Sequence, residues 1–142
     1  LFAPLGMTNS DMLHGQADRT ATYFGMTSTC PDLARFGLLY LNGGMWGDRQ
    51  VVDRQWVLES LQPGNVSDGY GYLWWLSGEV APDQSDVPTL DAPPDSFSAV
   101  GAGGQRILVV PSAGIVATTM TPVGVDRRFS DDLDVAVVKA LN

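Results

Sequence analysis

The chain reads FSAVGAGGQRILVVPSAGIVATT from Phe97 to Thr119, and this stretch is its strongest structural signal. It predicts one strand over Phe97–Val110, interrupted at the glycines, and a second strand over Ile115–Thr121. A turn at Pro111–Gly114 joins them, because proline and glycine supply the backbone angles of a short hairpin loop. Glycine weakens a strand interior, so the glycine cluster indicates either a backbone that approaches another group closely or a bulge or bend in the sheet.

Two helices are predicted before this hairpin and one after it. The first begins after Thr29, which caps helix N-termini well, with Asp32 as an acidic capping-box partner, and it ends at Asn42–Gly44. Asp53 caps the second helix, which extends to about Leu61, and Ser130 caps the last one. The first helix carries one apolar stripe at helical spacing, which predicts a face packed on a core. The stripe consists of Leu33, Phe36, Gly37 and Tyr40.

A further strand is predicted over Tyr70–Leu76, which is aromatic and lacks proline. One of the adjacent Trp74 and Trp75 must point away from the core, so Trp75 is a candidate for lining a substrate pocket. The proline-rich and acidic segment Ser77–Ser96 predicts an irregular excursion. These elements together predict an α+β fold, an antiparallel sheet with helices packed on it.

Composition limits the classes of function. The 142 residues suffice for a single domain that buries roughly 70% of its unfolded surface. A net charge of −8 argues against nucleic acid and anionic membranes as partners. Cys30 is the sole cysteine, which excludes an internal disulfide and a cysteine-based metal site, and we predict no metal. No apolar run approaches the length of a membrane span.

The opening residues, from Leu1, read as sequence from the middle of a protein, without an initiator methionine or a signal peptide. We therefore expect residues 1–142 to be a single domain or a fragment, or one piece of a cleaved protein. The compartment, cytoplasmic or secreted, stays open because the usual signals would lie further upstream.

Five phrases follow one another along the chain: Phe2–Met7, Ser28–Gly37, Leu41–Gly44 with Trp46–Val52, Tyr70–Trp75 and Gly101–Gln105. In this order they resemble the C-terminal half of the class C β-lactamase-like serine hydrolases. That family includes penicillin-binding carboxypeptidases, esterases and 6-aminohexanoate-dimer hydrolases, and the Gly-Gly-Gln ending is most similar to the last of these. The resemblance implies the C-terminal part of a β-lactamase/transpeptidase-like fold.

The family's chemistry, as the resemblance implies it, is acyl transfer through an acyl-enzyme. A Ser-x-x-Lys serine attacks the carbonyl, and the lysine acts with a Tyr-x-Asn tyrosine on the proton. Neither motif maps to this chain. Its only lysine is Lys139, with Ala136 three residues before it, and its one Tyr-x-Asn, Tyr40–Asn42, ends a predicted helix with Tyr40 on the apolar stripe, which indicates a core residue. We therefore expect a hydrolase of small amide or ester substrates that is inactive alone and is completed by an N-terminal segment. The resemblance implies no cofactor, since this chemistry uses side chains and main chain only.

A third family motif lies on a strand at the edge of the active site, and its glycine aligns with Gly101. This alignment makes the Ala102 main-chain N–H the oxyanion donor, and a slip of one or two residues would move the donor to Gly103 or Gly104. Because the donor is a main-chain N–H, the identity of its side chain matters little, and a small side chain lets the substrate lie along the strand. The resemblance thus marks Gly101, Gly103 and Gly104 as substrate-binding.

Gln105 and Trp75 complete the predicted substrate-binding set, although Gln105 could instead pair with a neighbouring strand. Ala99 stands where the family's third motif commonly begins with a lysine or histidine that holds a substrate carboxylate. Its presence favours an uncharged ester or amide over a β-lactam or a D-Ala-D-Ala peptide. A different class of function remains open: a non-catalytic binding module or subunit that retains the family's substrate-binding wall.

Overall fold

The computed structural model describes residues 1–13, 25–65, 68–76, 93–101, 103–121 and 128–140. Its helices are α1 (Phe2–Leu5), α2 (Cys30–Leu41), α3 (Arg54–Ser60) and α4 (Arg128–Lys139). Two short hairpins pair β1 (Asp11–Met12) with β2 (Met26–Thr27) and β3 (Met45–Trp46) with β4 (Arg49–Gln50). The main sheet contains β5 (Trp75–Leu76), β6 (Phe97–Val100), β7 (Arg106–Val110) and β8 (Ile115–Thr119). No helix within these ranges has the length and apolar character needed to cross a membrane.

The main sheet has the order β5-β6-β7-β8, and each neighbouring pair is antiparallel. Successive side chains of a strand point to opposite faces, and all five residues of β7 are buried. Ile107 and Val109 pack in the cluster that includes the apolar stripe of α2, whereas Leu108 and Val110 pack with Val138 of α4. Helices therefore cover both faces of the sheet, and the predicted α+β architecture is confirmed.

Helix α2 has the predicted boundaries. The Thr29 hydroxyl accepts a hydrogen bond from the Asp32 N–H at 3.4 Å, and the helix ends at the cap residue Asn42. The predicted stripe is its buried face, in which Leu33, Gly37 and Tyr40 are buried and Phe36 is half-buried. Helix α3 likewise begins after its predicted cap, Asp53, whose carboxylate accepts from the Gln55 N–H at 2.7 Å.

An aromatic cluster joins α2 to the sheet. The ring centroid of Trp74 lies 4.6 Å from that of Tyr40 and 5.1 Å from that of Phe97, the latter edge-on. Phe36 stacks on Trp74 at 5.9 Å. Such pairs contribute about 0.5–1.5 kcal/mol each beyond their buried area, so this cluster fixes the position of α2 on the strands that carry the candidate site.

Helix α2 packs closely on the sheet at Gly37. A Cβ atom added there would lie 2.6 Å from Val116 Cγ1 and 2.9 Å from Ile107 Cγ2. Both neighbours are β-branched and stiff at χ1, so they do not swing aside cheaply. The helix therefore needs a residue without a side chain at this contact.

Gly37→Ala is expected to lower the free energy of unfolding by about 1–2 kcal/mol in urea denaturation. Alanine gains up to about 1 kcal/mol over glycine in a helix interior, but crowding in a packed core costs about 1–3 kcal/mol. The control is Leu38→Ala at the adjacent exposed position, where a change within about 0.5 kcal/mol is expected. A stabilised Gly37→Ala protein would show that α2 packs less tightly than the distances indicate.

Asp32 is a fully buried carboxylate at the start of α2. One oxygen accepts from the Asn9 N–H and from the Ser10 hydroxyl, both at 2.9 Å, and the other accepts from Arg35 Nη1 at 2.6 Å. The sequence predicts Asp32 as a local capping partner of Thr29. In the structure its carboxylate instead ties the segment after α1 to α2.

The strand predicted over Phe97–Val110 is wrong in one respect: it does not continue through the glycines. The chain reverses there, so β6 and β7 are antiparallel neighbours with Val100 opposite Arg106. Both a strand interruption and a tight turn are compatible with clustered glycine, and only pairing across the turn decides between them. The turn predicted at Pro111–Gly114 is confirmed as a 3-10 turn that ends in left-handed Gly114.

Three other predicted boundaries are wrong. The first is the end of β8, which lies at Thr119 and not at Thr121. Only Trp75–Leu76 of the predicted strand Tyr70–Leu76 is a strand, because the residues before it form a turn in which the Tyr72 N–H donates to the Ser60 carbonyl at 2.9 Å. Helix α4 begins at Arg128, so the predicted cap Ser130 lies inside it. Residues 77–92 of the predicted irregular segment Ser77–Ser96 lie outside the described residues.

Candidate functional site

The candidate site is the loop that joins β6 to β7, which we call the glycine loop, Gly101–Gln105. The Gly101 N–H donates to the Gln105 carbonyl at 2.8 Å, and the Gly104 N–H donates to the Gly101 carbonyl at 3.2 Å. Gly103 and Gly104 have φ angles of +96° and +90°, which L side chains rarely adopt. The tight reversal therefore requires glycine at both positions.

Two threonine hydroxyls hold this loop, one on the last residue of β8, Thr119, and one on Thr121, two residues beyond the strand. Thr119 Oγ1 donates to the Gly104 carbonyl at 3.3 Å, and Thr121 Oγ1 donates to the Gly103 carbonyl. Both threonines are buried. Side chains at and just beyond the end of β8 therefore fix the loop that joins β6 to β7.

In the described part of the glycine loop, main-chain carbonyls and main-chain N–H groups differ in how many have hydrogen-bond partners. The carbonyls of its four described residues, Gly101, Gly103, Gly104 and Gln105, all accept a hydrogen bond. In contrast, no described residue accepts from the N–H groups of Gly103 and Gln105. Main-chain N–H groups can bind anions, so those of Gly103 and Gln105 are candidate donors to a negatively charged oxygen.

The Gln105 side chain lies against Gly101 and Gly103 of the loop. A Cβ atom added to Gly101 would lie 3.1 Å from Gln105 Oε1, and one added to Gly103 would lie 3.5 Å from Gln105 Nε2. Gln105 is half-buried, and no described residue forms a hydrogen bond with its side-chain amide. Its amide is therefore placed beside the loop with donor and acceptor capacity to spare.

The remaining predicted site residues take different positions. Ala102 lies outside the described residues. Trp75 pairs with Ser98 on β6, three residues before Gly101, and its ring packs on Tyr70 with centroids 4.4 Å apart. Three residues of strand span about 10 Å, so Trp75 lies on the strand next to β6 and is not part of the loop. Trp74 is the member of the pair that enters the core, as the sequence predicts.

Sequence reasoning missed Thr119 and Thr121. The available signal is their spacing: residues two apart share one face of an extended segment, and both hydroxyls follow the long apolar hairpin. That spacing does not say which carbonyls the hydroxyls meet. The described residues contain no cluster of three or more His, Cys, Asp or Glu side chains suited to a metal.

Comparison with known proteins supports the fold. No protein-family model and no curated protein sequence matches the chain. Among solved structures it is similar to a β-lactamase from Mycobacterium bovis, with a TM-score of 0.69 and 20% identity over 99% of this chain and 52% of that one. A protein from Bacteroides dorei described as a β-lactamase gives a TM-score of 0.61 and 17% identity over 99% of this chain and 48% of that one.

A third solved structure is described as a 6-aminohexanoate-dimer hydrolase from Bacillus anthracis. It gives a TM-score of 0.54 and 23% identity over 82% of this chain and 29% of that one. The chain thus spans between about a third and a half of the length of these proteins. The resemblance predicted from the five phrases is confirmed at the level of the fold: the chain has the fold of part of a β-lactamase-like serine hydrolase.

Proposed function

We propose that the chain is part of a serine hydrolase that cleaves amide or ester bonds through an acyl-enzyme. Its contribution is the glycine loop, which donates a main-chain hydrogen bond to the oxyanion that develops on the carbonyl under attack. The observation that supports this proposal most is the pattern of hydrogen bonds in the loop, whose described carbonyls are all occupied while N–H groups remain. The β-lactamase-like fold supports it independently.

The donor in this proposal is the N–H of Ala102. The alignment of the third motif on Gly101 assigns this role to Ala102, whose N–H shares a peptide group with the Gly101 carbonyl, and that carbonyl accepts from the Gly104 N–H at 3.2 Å. The N–H groups of Gly103 and Gln105, for which no described residue is an acceptor, are the other candidate donors. A trans peptide holds its C=O and N–H on opposite sides, and Thr119 holds the Gly104 carbonyl, so we expect the Gln105 N–H to face away from Thr119.

The proposed substrate is an uncharged amide or ester that lies along the glycine loop. Gly101, Gly103 and Gly104 present backbone and no side chain, so a flat acyl group can approach closely. The Gln105 amide then offers a hydrogen bond to substrate, and Trp75 lines the approach. Ala99 brings no cation to this strand, and no residue from Gly101 to Gln105 is charged, which disfavours substrates that need a bound carboxylate.

The nucleophile and its base come, in this proposal, from a segment outside residues 1–142, because these residues contain no Ser-x-x-Lys. The test begins with the coding sequence upstream of Leu1, where a Ser-x-x-Lys is expected. The intact gene product is then mixed with a p-nitrophenyl ester. We expect a burst of one equivalent of nitrophenol and a covalent acyl adduct, located by mass spectrometry on that serine.

Two controls sharpen this test. Residues 1–142 alone are expected to give neither burst nor adduct, and the Ser→Ala variant of the intact protein is expected to lose both. An intact product that lacks the motif and forms no adduct would contradict the proposal. Binding of amides or esters without turnover would then identify the chain as a non-catalytic module that retains the substrate-binding wall.

A further inference from the structure

Hydrogen bonds in the glycine loop are arranged in series. Thr121 Oγ1 donates to the Gly103 carbonyl, whose peptide group ends in the Gly104 N–H, and this N–H donates in turn to the Gly101 carbonyl at 3.2 Å. That carbonyl shares its peptide group with the N–H of Ala102. A series of hydrogen bonds thus connects the Thr121 hydroxyl to the peptide group that contains the proposed oxyanion donor, the Ala102 N–H.

Thr119 makes a parallel connection. Its hydroxyl donates to the Gly104 carbonyl at 3.3 Å, and the other end of that peptide group is the Gln105 N–H. The two hydroxyls therefore hold successive peptide groups of the loop in fixed orientations. Thr119 and Thr121 are only 4% and 6% exposed, so water does not readily replace either hydroxyl.

We propose that Thr121 and Thr119 are positioning residues for the oxyanion-binding amides, an inference that rests on the proposed function. Each hydroxyl does two things through the peptide group that it holds. It fixes the direction of the N–H at the far end, and it polarises that N–H, because hydrogen bonds in series strengthen one another. For Thr119 this N–H is the candidate donor of Gln105, whereas for Thr121 it is the Gly104 N–H, which passes the effect through the Gly101 carbonyl to the peptide group of Ala102. Neither side chain touches substrate; both act through the main chain of the glycine loop.

The test compares Thr121→Val, Thr119→Val and Thr121→Ser in the intact hydrolase. Valine keeps the shape of threonine and removes the donor, so we expect kcat to fall about 10-fold for each valine variant with little change in KM, the effect of losing one ordinary hydrogen bond in the transition state. Thr121→Ser restores the hydroxyl and is expected to recover kcat to within about 3-fold of wild type. A merely structural role would not give this recovery together with an unchanged KM.

Thr118→Val is the matched control. Thr118 lies on the same strand but on the opposite face, where its hydroxyl donates to the Cys30 carbonyl at 3.2 Å. The substitution removes an equivalent hydrogen bond far from the glycine loop, so we expect kcat to remain at the wild-type value.

Amide hydrogen exchange gives a readout besides activity. Thr121→Val is expected to accelerate exchange of the Gly104 amide about 10-fold and to leave the amides of β7 unchanged. Unchanged exchange at Gly104, or an active wild type whose Thr121→Val variant keeps its kcat, would overturn this inference and leave the proposed function intact. An inactive wild type would overturn the proposed function and the catalytic role of both threonines with it.

Discussion

Replacing the Ala102 amide by an ester linkage is expected to lower kcat of the proposed intact hydrolase about 100- to 1,000-fold. The ester keeps the methyl side chain and the chain length but removes the N–H. Loss of one oxyanion donor in acyl-transfer enzymes has about this effect, because charge on the carbonyl oxygen develops only in the transition state. For the same reason KM is expected to change little. The α-hydroxy analogue of alanine is introduced at position 102 by nonsense suppression, and single-turnover acylation is measured.

The same replacement at Ala113 serves as the control. Ala113 lies in the exposed 3-10 turn at the opposite end of the β6–β7–β8 hairpins, so its ester variant is expected to retain the wild-type kcat. If the Ala102 ester retains wild-type kcat while the Gly103 ester loses it, the alignment on Gly101 has slipped, and if only the Gln105 ester loses it, the donor is the Gln105 N–H. If none of the three esters lowers kcat, the glycine loop has no oxyanion role.

Asp32→Ala is expected to lower the free energy of unfolding by about 3 kcal/mol. The carboxylate accepts three hydrogen bonds, and bonds to charged groups contribute about 1.5–3 kcal/mol each when buried. The expected loss is smaller than the sum of three such bonds. Asn9 is exposed and the Arg35 side chain is 38% exposed, so water satisfies these two donors after the substitution. Urea denaturation of wild type and variant measures the difference.

Asp53→Ala is the matched control for this prediction. Asp53 also lies at the start of a helix but is exposed and accepts one N–H at 2.7 Å, so a loss of about 1 kcal/mol is expected. Asp32→Asn keeps the shape and removes the charge, and its stability should lie between wild type and Asp32→Ala. Equal losses for Asp32→Ala and Asp53→Ala would mean that the buried network contributes no more than a surface cap.

Local chemistry was sufficient to predict the helices around the core. Thr29 and Asp53 each cap a helix with their own side chains, and Asn42 ends α2 where the glycines begin. These features act over three or four residues, so they are visible in sequence. The fold class followed from the same signals together with the apolar hairpin that became β7 and β8.

Long-range contacts account for the predictions that were wrong. The aromatic residues of Tyr70–Leu76 favour a strand, but hydrogen bonds from the turn to the end of α3 outweigh that preference, and Leu73 takes a φ of +66°. The carboxylate of Asp32 finds partners more than 20 residues away. Neither contact leaves a signature in the neighbouring residues.

In the glycine loop, too, local features were predicted and features set by long-range contacts were not. Its glycines indicated a close backbone approach or a bend, and the candidate site was predicted there. The prediction was wrong about the direction of the chain after Gly101 and missed the hydroxyls of Thr119 and Thr121 that hold the loop. Both depend on the pairing of β7 with β6 and β8, which brings residues 15–18 positions apart into contact.

The φ angles of +96° at Gly103 and +90° at Gly104 also limit how this protein can be engineered. Any codon change at either position strains the backbone before a new side chain meets a ligand. Libraries that aim at altered selectivity should therefore spare both glycines and diversify flanking side chains such as Gln105 and Trp75. Variation there changes the side chains beside the glycine loop while the proposed oxyanion-binding amides keep their positions.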